Sequence, residues 1–291
     1  LLLLRRCRDE RIDTEEFDLM TGNAGAIGAL LVLEHMLEDS SLLDFAVRLG
    51  AELVNRAEKD ASGWSWESPG WTNHRNLTGF SHGTAGCGFA LLELFNATGQ
   101  PEFYEAGRNA FHYERAWFDP VARNWPDFRK DPSSRRRKKT PPQCLSFWCH
   151  GAPGIAMARL RACEILHGNA YREEATVAVE TTASSIEAAI DEWSGNFSLC
   201  HGLAGNGEVL LYAVQILGSE PGGEALLSRV AQHGIERFVE GKAPWPCGTH
   251  SGETPNLMLG LSGIGQFYLR MGKRSIPSVL VLRKEAWGRR P

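Results

Sequence analysis

Residues 198–208, "SLCHGLAGNGE", place a cysteine and a histidine, Cys200 and His201, directly before a glycine-rich run. Nearly the same phrase occurs at residues 146–156 as "SFWCHGAPGIA", and it occurs without its cysteine at residues 79–89 as "GFSHGTAGCGF". Three copies of one phrase indicate an internal repeat, which predicts a fold built from equivalent units.

Alignment of these phrases extends the repeat to five segments, each with two glycines in the pattern G-x-x-G. The first glycines are separated by 61, 68, 51 and 58 residues, a spacing that suits one helical hairpin per repeat. The five segments are "TGNAGAIGALLVL" at 21–33, "SHGTAGCGFALLEL" at 81–94, "CHGAPGIAMARL" at 149–160, "CHGLAGNGEVLLYAV" at 200–214 and "LGLSGIGQFYLRM" at 259–271.

Each G-x-x-G is followed by dense apolar residues, which predict a helix buried on most sides. Pro153 supports this register, because proline is tolerated in the first turn of a helix. More polar amphipathic segments lie between these inner helices and predict outer helices at 41–60, 101–117, 170–193 and 223–240. Alternating inner and outer helices predict an all-α fold, an α/α toroid in which the inner N-termini converge at one end.

Composition places the chain among globular proteins. It has 291 residues, of which 43% are hydrophobic, a net charge of -4, and seven cysteines that suit reduced thiols or metal ligands. This charge gives no reason to expect nucleic acid or an anionic membrane as a partner, and no apolar run is long enough to predict a membrane span. We therefore expect a soluble cytoplasmic protein. We expect a single domain over 1–291 and, because the chain starts abruptly without methionine, a longer parent polypeptide.

The longest interruption between repeats, residues 118–146, predicts an exposed basic loop. It contains "NWPDFRKDPSSRRRKKTPPQ", whose prolines and basic run at 135–139 are typical of a solvated connection. A docking surface for an acidic peptide is the alternative interpretation.

Two cysteines and a histidine, Cys149, Cys200 and His201, form the candidate metal site. Catalytic zinc commonly has three protein ligands, and thiolate with imidazole favours zinc. The separation of the two cysteines matches no short zinc motif, so the prediction depends on the repeat to bring them together. The alternative is that both are small buried residues at helix starts.

His82 occupies the repeat position of His150 and His201, and it is a candidate general acid or base. Asp18 stands four residues before the first glycine of its repeat, where it either reaches the site, to orient His82 or hold a water, or caps the first inner helix. Cys144 lies near Cys149 and is a possible spare ligand.

These motifs together resemble the lanthionine synthetase C-like family, the cyclases that form thioether rings in lanthipeptides. The resemblance rests on "DLMTGNAGAI", "LTGFSHGTAG", "SFWCHGAPGI", "LCHGLAGNGE" and "LMLGLSGIG", within residues 17–271. "NWPDFR" and "WCHGAPGI" are most similar to the C-terminal cyclase domain of bifunctional class II synthetases.

The resemblance implies a toroid of seven hairpins with one zinc ion held by Cys149, Cys200 and His201. It implies that a cysteine thiol of a dehydrated precursor peptide takes the fourth zinc position and adds to a dehydroalanine or dehydrobutyrine of that peptide. His82, assisted by Asp18, would then protonate the resulting enolate, and His150 is the competing proton donor.

Two departures from the family pattern affect these expectations. Stand-alone cyclases usually carry a tyrosine after the first zinc cysteine and an arginine four residues before it, whereas this chain has His150 and Leu145. Five of seven repeats are recognisable, so we expect the missing hairpins before residue 17 and expect their absence to expose apolar inner faces. The chain is then a fragment of a longer polypeptide or an open ring completed by a partner. We also expect a dehydratase domain or protein upstream.

Three alternatives remain at this point. Related enzymes that add glutathione to dehydrated residues use the same chemistry with an intermolecular nucleophile, and a non-catalytic zinc-bearing peptide-binding module would keep the metal without the reaction. A toroid glycosidase is disfavoured, because that chemistry needs two convergent carboxylates where this sequence has cysteine and histidine.

Overall fold

The computed structural model describes residues 16–68, 75–129, 142–192, 194–218, 223–249 and 252–288. These residues are largely helical, as the sequence predicts. The inner helices are α1 (Asn23–Leu37), α3 (Thr84–Thr98), α5 (Ala152–Leu166), α7 (Leu203–Leu217) and α9 (Leu261–Gly272). The outer helices are α2 (Ser40–Arg56), α4 (Pro101–Ala116), α6 (Asn169–Asp191) and α8 (Gly223–Gly234), which continues as a π-helical turn, Ile235–Glu240.

Short antiparallel ribbons connect some of these helices. Strand β1 (Glu58–Asp60) pairs with β2 (Gly63–Ser65), and β3 (Ser146–Phe147) pairs with β4 (His150–Gly151). The β3–β4 ribbon leads directly into α5, so the approach to this inner helix differs from the approach to the others.

Inner and outer helices differ in burial as the patterns predict. Every residue of α7 from Leu203 to Ala213 is buried, because α5 and α9 flank this helix and outer helices α6 and α8 pack against it. In α2, by contrast, the buried leucines are Leu42, Leu49 and Leu53, which lie on one face. Burial of a complete helix explains why the inner segments show no amphipathic pattern.

A belt of backbone hydrogen bonds joins the five repeats just before their inner helices. The N–H of Leu19 donates to the carbonyl of Ser81 at 3.0 Å, and the N–H of Ser81 donates to Cys149 at 3.1 Å. The belt continues from Cys149 to Cys200 at 3.2 Å and from Cys200 to Met258 at 2.9 Å. All five inner N-termini are therefore held at the same end of the fold.

The second glycine of each G-x-x-G is required by a close backbone approach. A side chain at Gly154 would overlap the carbonyl oxygen of Trp148, and one at Gly205 would overlap that of Leu199. The same overlap recurs at Gly25, Gly86 and Gly263. The repeated glycine thus lets the incoming loop pack directly on the first turn of the helix.

The opposite end of the inner helices is crossed by residues 276–288. Arg283 Nη1 bonds Glu164 Oε1 of α5 at 2.8 Å, and Gln266 Nε2 of α9 donates to the carbonyl of Pro277 at 3.0 Å. The short 3-10 helix Lys284–Ala286 packs on α1. This segment therefore connects the last inner helix with the first.

The predicted exposed loop at 118–146 is described only in part. The basic run and its neighbours, residues 130–141, lie outside the described residues. Among the rest, Asn124 and Trp125 are buried, because Trp125 Nε1 donates to the carbonyl of Glu114 at 2.9 Å and Asn124 contacts the start of α5.

Two leucines of α9 are exposed, Leu261 and Leu269, on the inner helix that ends the row.

No described helix is both long enough and apolar enough to cross a membrane.

The role of the second glycine is testable within one helix. Gly263→Ala should lower the free energy of unfolding by about 1–3 kcal/mol, because the new methyl group would overlap the carbonyl of Leu257. Gly265→Ala is the matched control, since its new methyl group meets nothing within 4 Å. The control should be neutral or gain up to about 1 kcal/mol in helix propensity. Urea unfolding compares the two, and equal stabilities would contradict the packing argument.

Candidate functional site

The candidate metal ligands are brought together as the repeat predicts. One ligand atom each from Cys149, Cys200 and His201 lies within 4.8 Å of the others. The belt explains this proximity, because the N–H of Cys149 bonds the carbonyl of Cys200 and so places the two starts of α5 and α7 side by side. The rings of His201 and Phe147 make a T-shaped contact, and their centroids lie 5.7 Å apart.

The two thiols of this cluster are electrostatically unequal. A hydrogen bond from the Cys149 thiol, followed by one from His201, lowers the pKa of Cys200 to about 5 despite burial. The same bond and burial raise the pKa of Cys149. The site thus holds one readily ionised sulfur and a second that shares its proton with the first.

The donor set fits zinc on its chemistry. Two sulfurs and one imidazole nitrogen, partly buried and close together, are the ligands that a soft borderline cation prefers. Three protein donors leave one coordination position for a substrate or water.

His82 and Asp18 form a second functional group at the same end. Nδ1 of His82 lies 2.7 Å from Oδ2 of Asp18, while Oδ1 accepts the N–H groups of Met20 at 2.8 Å and Thr21 at 2.7 Å. Burial raises the pKa of Asp18, but hydrogen bonds from His82 and Thr21 outweigh it, so the pKa lies below its ordinary value.

The structure places Asp18 against His82 and not at the cap of α1. The residue that caps α1 is Gly22, and no side chain caps this helix. Of the two roles that the sequence leaves open for Asp18, the geometry therefore favours orientation of His82.

A cavity of about 140 Å³ opens beside this pair. Asp18 and His82 line it together with Trp66, Glu67 and Ser68. The His82 side chain is 24% exposed, so the imidazole is accessible to a bound molecule.

His150 occupies a different environment, although it is equivalent to His82 in the repeat. The residue is 3% exposed, and its Nε2 lies 3.7 Å from Oδ1 of Asp127. Burial lowers the pKa of His150 to about 4, against the opposing charge of Asp127. The imidazole is therefore neutral near pH 7 and shielded from solvent.

Cys144 lies outside the metal cluster. Among the described residues, the group of three or more candidate ligands contains Cys149, Cys200 and His201 without Cys144. Burial raises the pKa of the Cys144 thiol.

Sequence reasoning missed three charged residues around the site: Glu114, Asp127 and Arg129. Asp127 and Arg129 lie within the quoted phrase "NWPDFR", in a segment whose prolines and basic run predict a solvated loop. Their spacing suits a local ion pair, and that was the available signal. Glu114 gave no signal, because a glutamate near the end of an amphipathic helix is ordinarily exposed.

Glu114 is fully buried and fixes the backbone on both sides of His82. Its Oε1 accepts the N–H of Gly79 at 3.1 Å and that of Ala85 at 2.7 Å. Burial raises the pKa of Glu114 to about 8, and the charge of Arg159 offsets this in part. The carboxyl group is therefore protonated near pH 7 in the folded state.

This burial predicts a pH dependence of stability. In the unfolded chain Glu114 titrates near its ordinary value of 4.5, whereas in the folded protein it keeps its proton to about pH 8. The folded state thus binds more protons between these values, and stability contributed by neutral Glu114 is lost as pH rises, by up to about 1.4 kcal/mol per pH unit.

Glu114→Gln should remove this decline, because glutamine keeps the carbonyl acceptor and does not ionise. Urea unfolding of both proteins at several values between pH 5 and 8 measures the effect. The exposed outer-helix residue Glu105→Gln is the control and should leave the slope unchanged. A Glu114→Gln protein with the wild-type slope would contradict the assignment.

Comparison with known proteins was made on both sequence and fold. The sequence model of the family described as "Lanthionine synthetase C-like protein" matches residues 1–281. The lacticin 481/lactococcin biosynthesis protein LcnDR2 of Lactococcus lactis subsp. lactis is 24% identical over 193 residues, which are 65% of this chain and 18% of that protein. The chain therefore spans less than a fifth of the length of this curated relative.

Three solved structures share the fold. Nisin cyclase matches 98% of this chain and 70% of its own, with a TM-score of 0.67 and 16% identity. A sugar epimerase from a ruminal bacterium matches 74% of this chain and 59% of its own, with a TM-score of 0.53 and 15% identity. A GH76 alpha-mannanase of Bacteroides thetaiotaomicron matches 90% and 72%, with a TM-score of 0.54 and 13% identity.

These structural likenesses establish the architecture, a helical toroid, and the family match extends over almost the entire chain. The chain belongs to the lanthionine synthetase C-like family.

Proposed function

We propose that this protein is a zinc-dependent cyclase that adds cysteine thiols to dehydroalanine or dehydrobutyrine residues of the same precursor peptide, forming lanthionine or methyllanthionine rings. The observation that carries the proposal is the cluster of Cys149, Cys200 and His201. His82 lies near this cluster, because the N–H of Ser81, the residue before it, donates to the carbonyl of Cys149 at 3.1 Å. A thiol-binding group and an accessible acid–base group thus share one end of the toroid.

Cys149, Cys200 and His201 are the residues that would hold the metal. Zinc, when bound, lowers the pKa of a coordinated thiol and stabilises its thiolate near neutral pH. Two cysteine thiolates and a neutral histidine would together balance the charge of one divalent cation.

His82 is the proposed proton carrier. Addition of a thiolate to the β-carbon of a dehydroamino acid forms the carbon–sulfur bond and moves the electron pair of the double bond into an enolate. Protonated His82 gives its proton to the α-carbon of that enolate, and the proton lost by the substrate thiol restores His82. Asp18 holds Nδ1, so Nε2 is the nitrogen directed to the substrate.

The environment of His150 supports His82 as the donor. His150 is buried and neutral near pH 7, whereas His82 lines a cavity. We assign His150 a structural role beside Asp127.

The similarity to relatives supports the choice of substrate. The named relatives include nisin cyclase and a lacticin 481/lactococcin biosynthesis protein. Because the reaction consumes dehydroamino acids, a dehydratase must supply them, and we propose that a dehydratase domain or partner protein acts first on the same peptide. We place the reaction in the cytoplasm, where the thiols stay reduced.

Zinc content tests the metal assignment. Elemental analysis of the purified protein should give about one zinc ion per chain, and Cys200→Ala should lose it, because two ligands rarely retain the metal. Cys144→Ala is the control and should keep the full amount, since Cys144 lies outside the cluster. A folded wild-type protein without zinc would contradict the proposal.

Cyclisation tests the function. The zinc-loaded protein should consume the free thiol of a synthetic peptide that contains one cysteine and one dehydroalanine, without a change in peptide mass. Alkylation of the remaining thiol followed by mass spectrometry measures the rate. His82→Ala should lower this rate about 10²–10⁴-fold with zinc retained, because a positioned acid is removed.

His112→Ala is the matched control, since His112 is an exposed histidine of α4 remote from the cavity lining. Glutathione added to the same assay distinguishes the rival reaction. A peptide that gains the mass of glutathione and keeps its own thiol would identify intermolecular addition, and no reaction at all would leave a peptide-binding module.

A further inference from the structure

Arg129 is a cation near the candidate metal ligands, and the reaction proposed above gives it no role. It lies in the connection between α4 and β3, more than a dozen residues before the first cysteine of the cluster. Asp127 places it beside the cluster, because Oδ1 of Asp127 lies 3.0 Å from Nε of Arg129 and 3.7 Å from Nε2 of His150, the residue that follows Cys149.

The segment that carries Arg129 is anchored by described residues on both sides. Asn124 Oδ1 accepts the N–H of Ala152 at 2.7 Å, which fixes the segment to the start of α5. Thr78 Oγ1 donates to the carbonyl of Pro126 at 2.7 Å, and the N–H of Asp127 donates to the carbonyl of Gln143 at 2.8 Å. The position of the guanidinium group is therefore set by the fold.

Asp127 holds one edge of the guanidinium group and leaves the other open. Nε of Arg129 lies 3.0 Å from both carboxylate oxygens of Asp127, and Nη2 lies 2.6 Å from Oδ2. Within the part of the chain that the structure describes, Nη1 donates to no other residue. The Arg129 side chain is 26% exposed, so it is partly accessible to a bound peptide.

The proposed reaction creates negative charge that such an edge fits. When sulfur bonds to the β-carbon, the electron pair of the double bond moves to the carbonyl oxygen of the dehydroamino acid. An enolate oxygen in a partly buried site is stabilised by a fixed, permanently charged donor. His82 serves the α-carbon in this scheme, so the oxygen needs a separate group.

We propose that Arg129 is a further catalytic residue, which donates through its open edge to the enolate oxygen that forms from the carbonyl of the acceptor dehydroamino acid and stabilises this enolate until His82 protonates the α-carbon. This role rests on the proposed cyclase function. Asp127 is the positioning residue, because it fixes the guanidinium without touching the substrate.

Three measurements on Arg129→Gln test this role with the same dehydroalanine peptide. The rate of ring formation should fall about 10²–10³-fold, as when a donor to a developing oxyanion is removed. Zinc content should stay at the wild-type value. The dissociation constant for a peptide whose cysteine is replaced by serine should change by less than about threefold, because that peptide forms no enolate.

Arg123→Gln is the matched control, since Arg123 lies in the same connection but is exposed and paired with Glu180 on α6. Arg129→Lys keeps the charge and loses the forked geometry, so it should retain an intermediate rate. This second variant tests the role if the glutamine variant does not fold.

The outcomes separate the two proposals. A wild-type rate in Arg129→Gln would overturn the role of Arg129 while the cyclase function stands. A rate loss accompanied by loss of zinc or of affinity for the serine peptide would show a structural role and would also overturn it. A zinc-loaded wild-type protein that forms no ring would overturn both proposals.

Discussion

The belt of backbone hydrogen bonds at the inner helix starts is the constraint on which the rest of the structure depends. It uses main-chain groups alone, from Leu19 through Ser81, Cys149 and Cys200 to Met258. Each buried N–H and carbonyl must find a partner, and here they find it in the neighbouring repeat. The inner helices are therefore aligned at this end before any side chain is specified.

Because the belt uses main-chain groups, the side chain at the belt position differs from one repeat to the next. Two adjacent repeats carry cysteine there, Cys149 and Cys200, and the next carries Met258. The ligand pair is thus a local substitution on a repeated scaffold. The 51-residue separation between the cysteines matters little once main-chain bonding has fixed their distance.

The sequence was sufficient for the repeat, the helices and the clustering of Cys149, Cys200 and His201, because all three follow from spacing. G-x-x-G marks a close approach of loop and helix, and that requirement is visible as glycine in every copy. Glu114 and Arg129 could not be predicted in the same way. Glu114 bonds the backbone beside His82, and Arg129 is placed near the cluster through Asp127, which lies beside His150. Single residues in non-repeated segments carry no periodicity from which such contacts can be inferred.

Three histidines at equivalent positions show where the repeat stops determining chemistry. The backbone after His82 and His201 enters its helix through an extended glycine, Gly83 with φ -117° and Gly202 with φ -130°. The third copy has φ 86° at Gly151, a conformation that favours glycine, because the β3–β4 ribbon turns the chain there.

This turn accounts for the different position of His150. Its imidazole packs beside Asp127 and does not line the cavity, whereas His82 lines the cavity and His201 lies beside the two sulfurs. One repeated residue thus has three environments: beside two sulfurs in the candidate metal cluster, at the wall of a cavity, and in a buried site where the ring is neutral. A sequence repeat predicts which residues share an end of the toroid, and local backbone geometry decides which of them can reach a substrate.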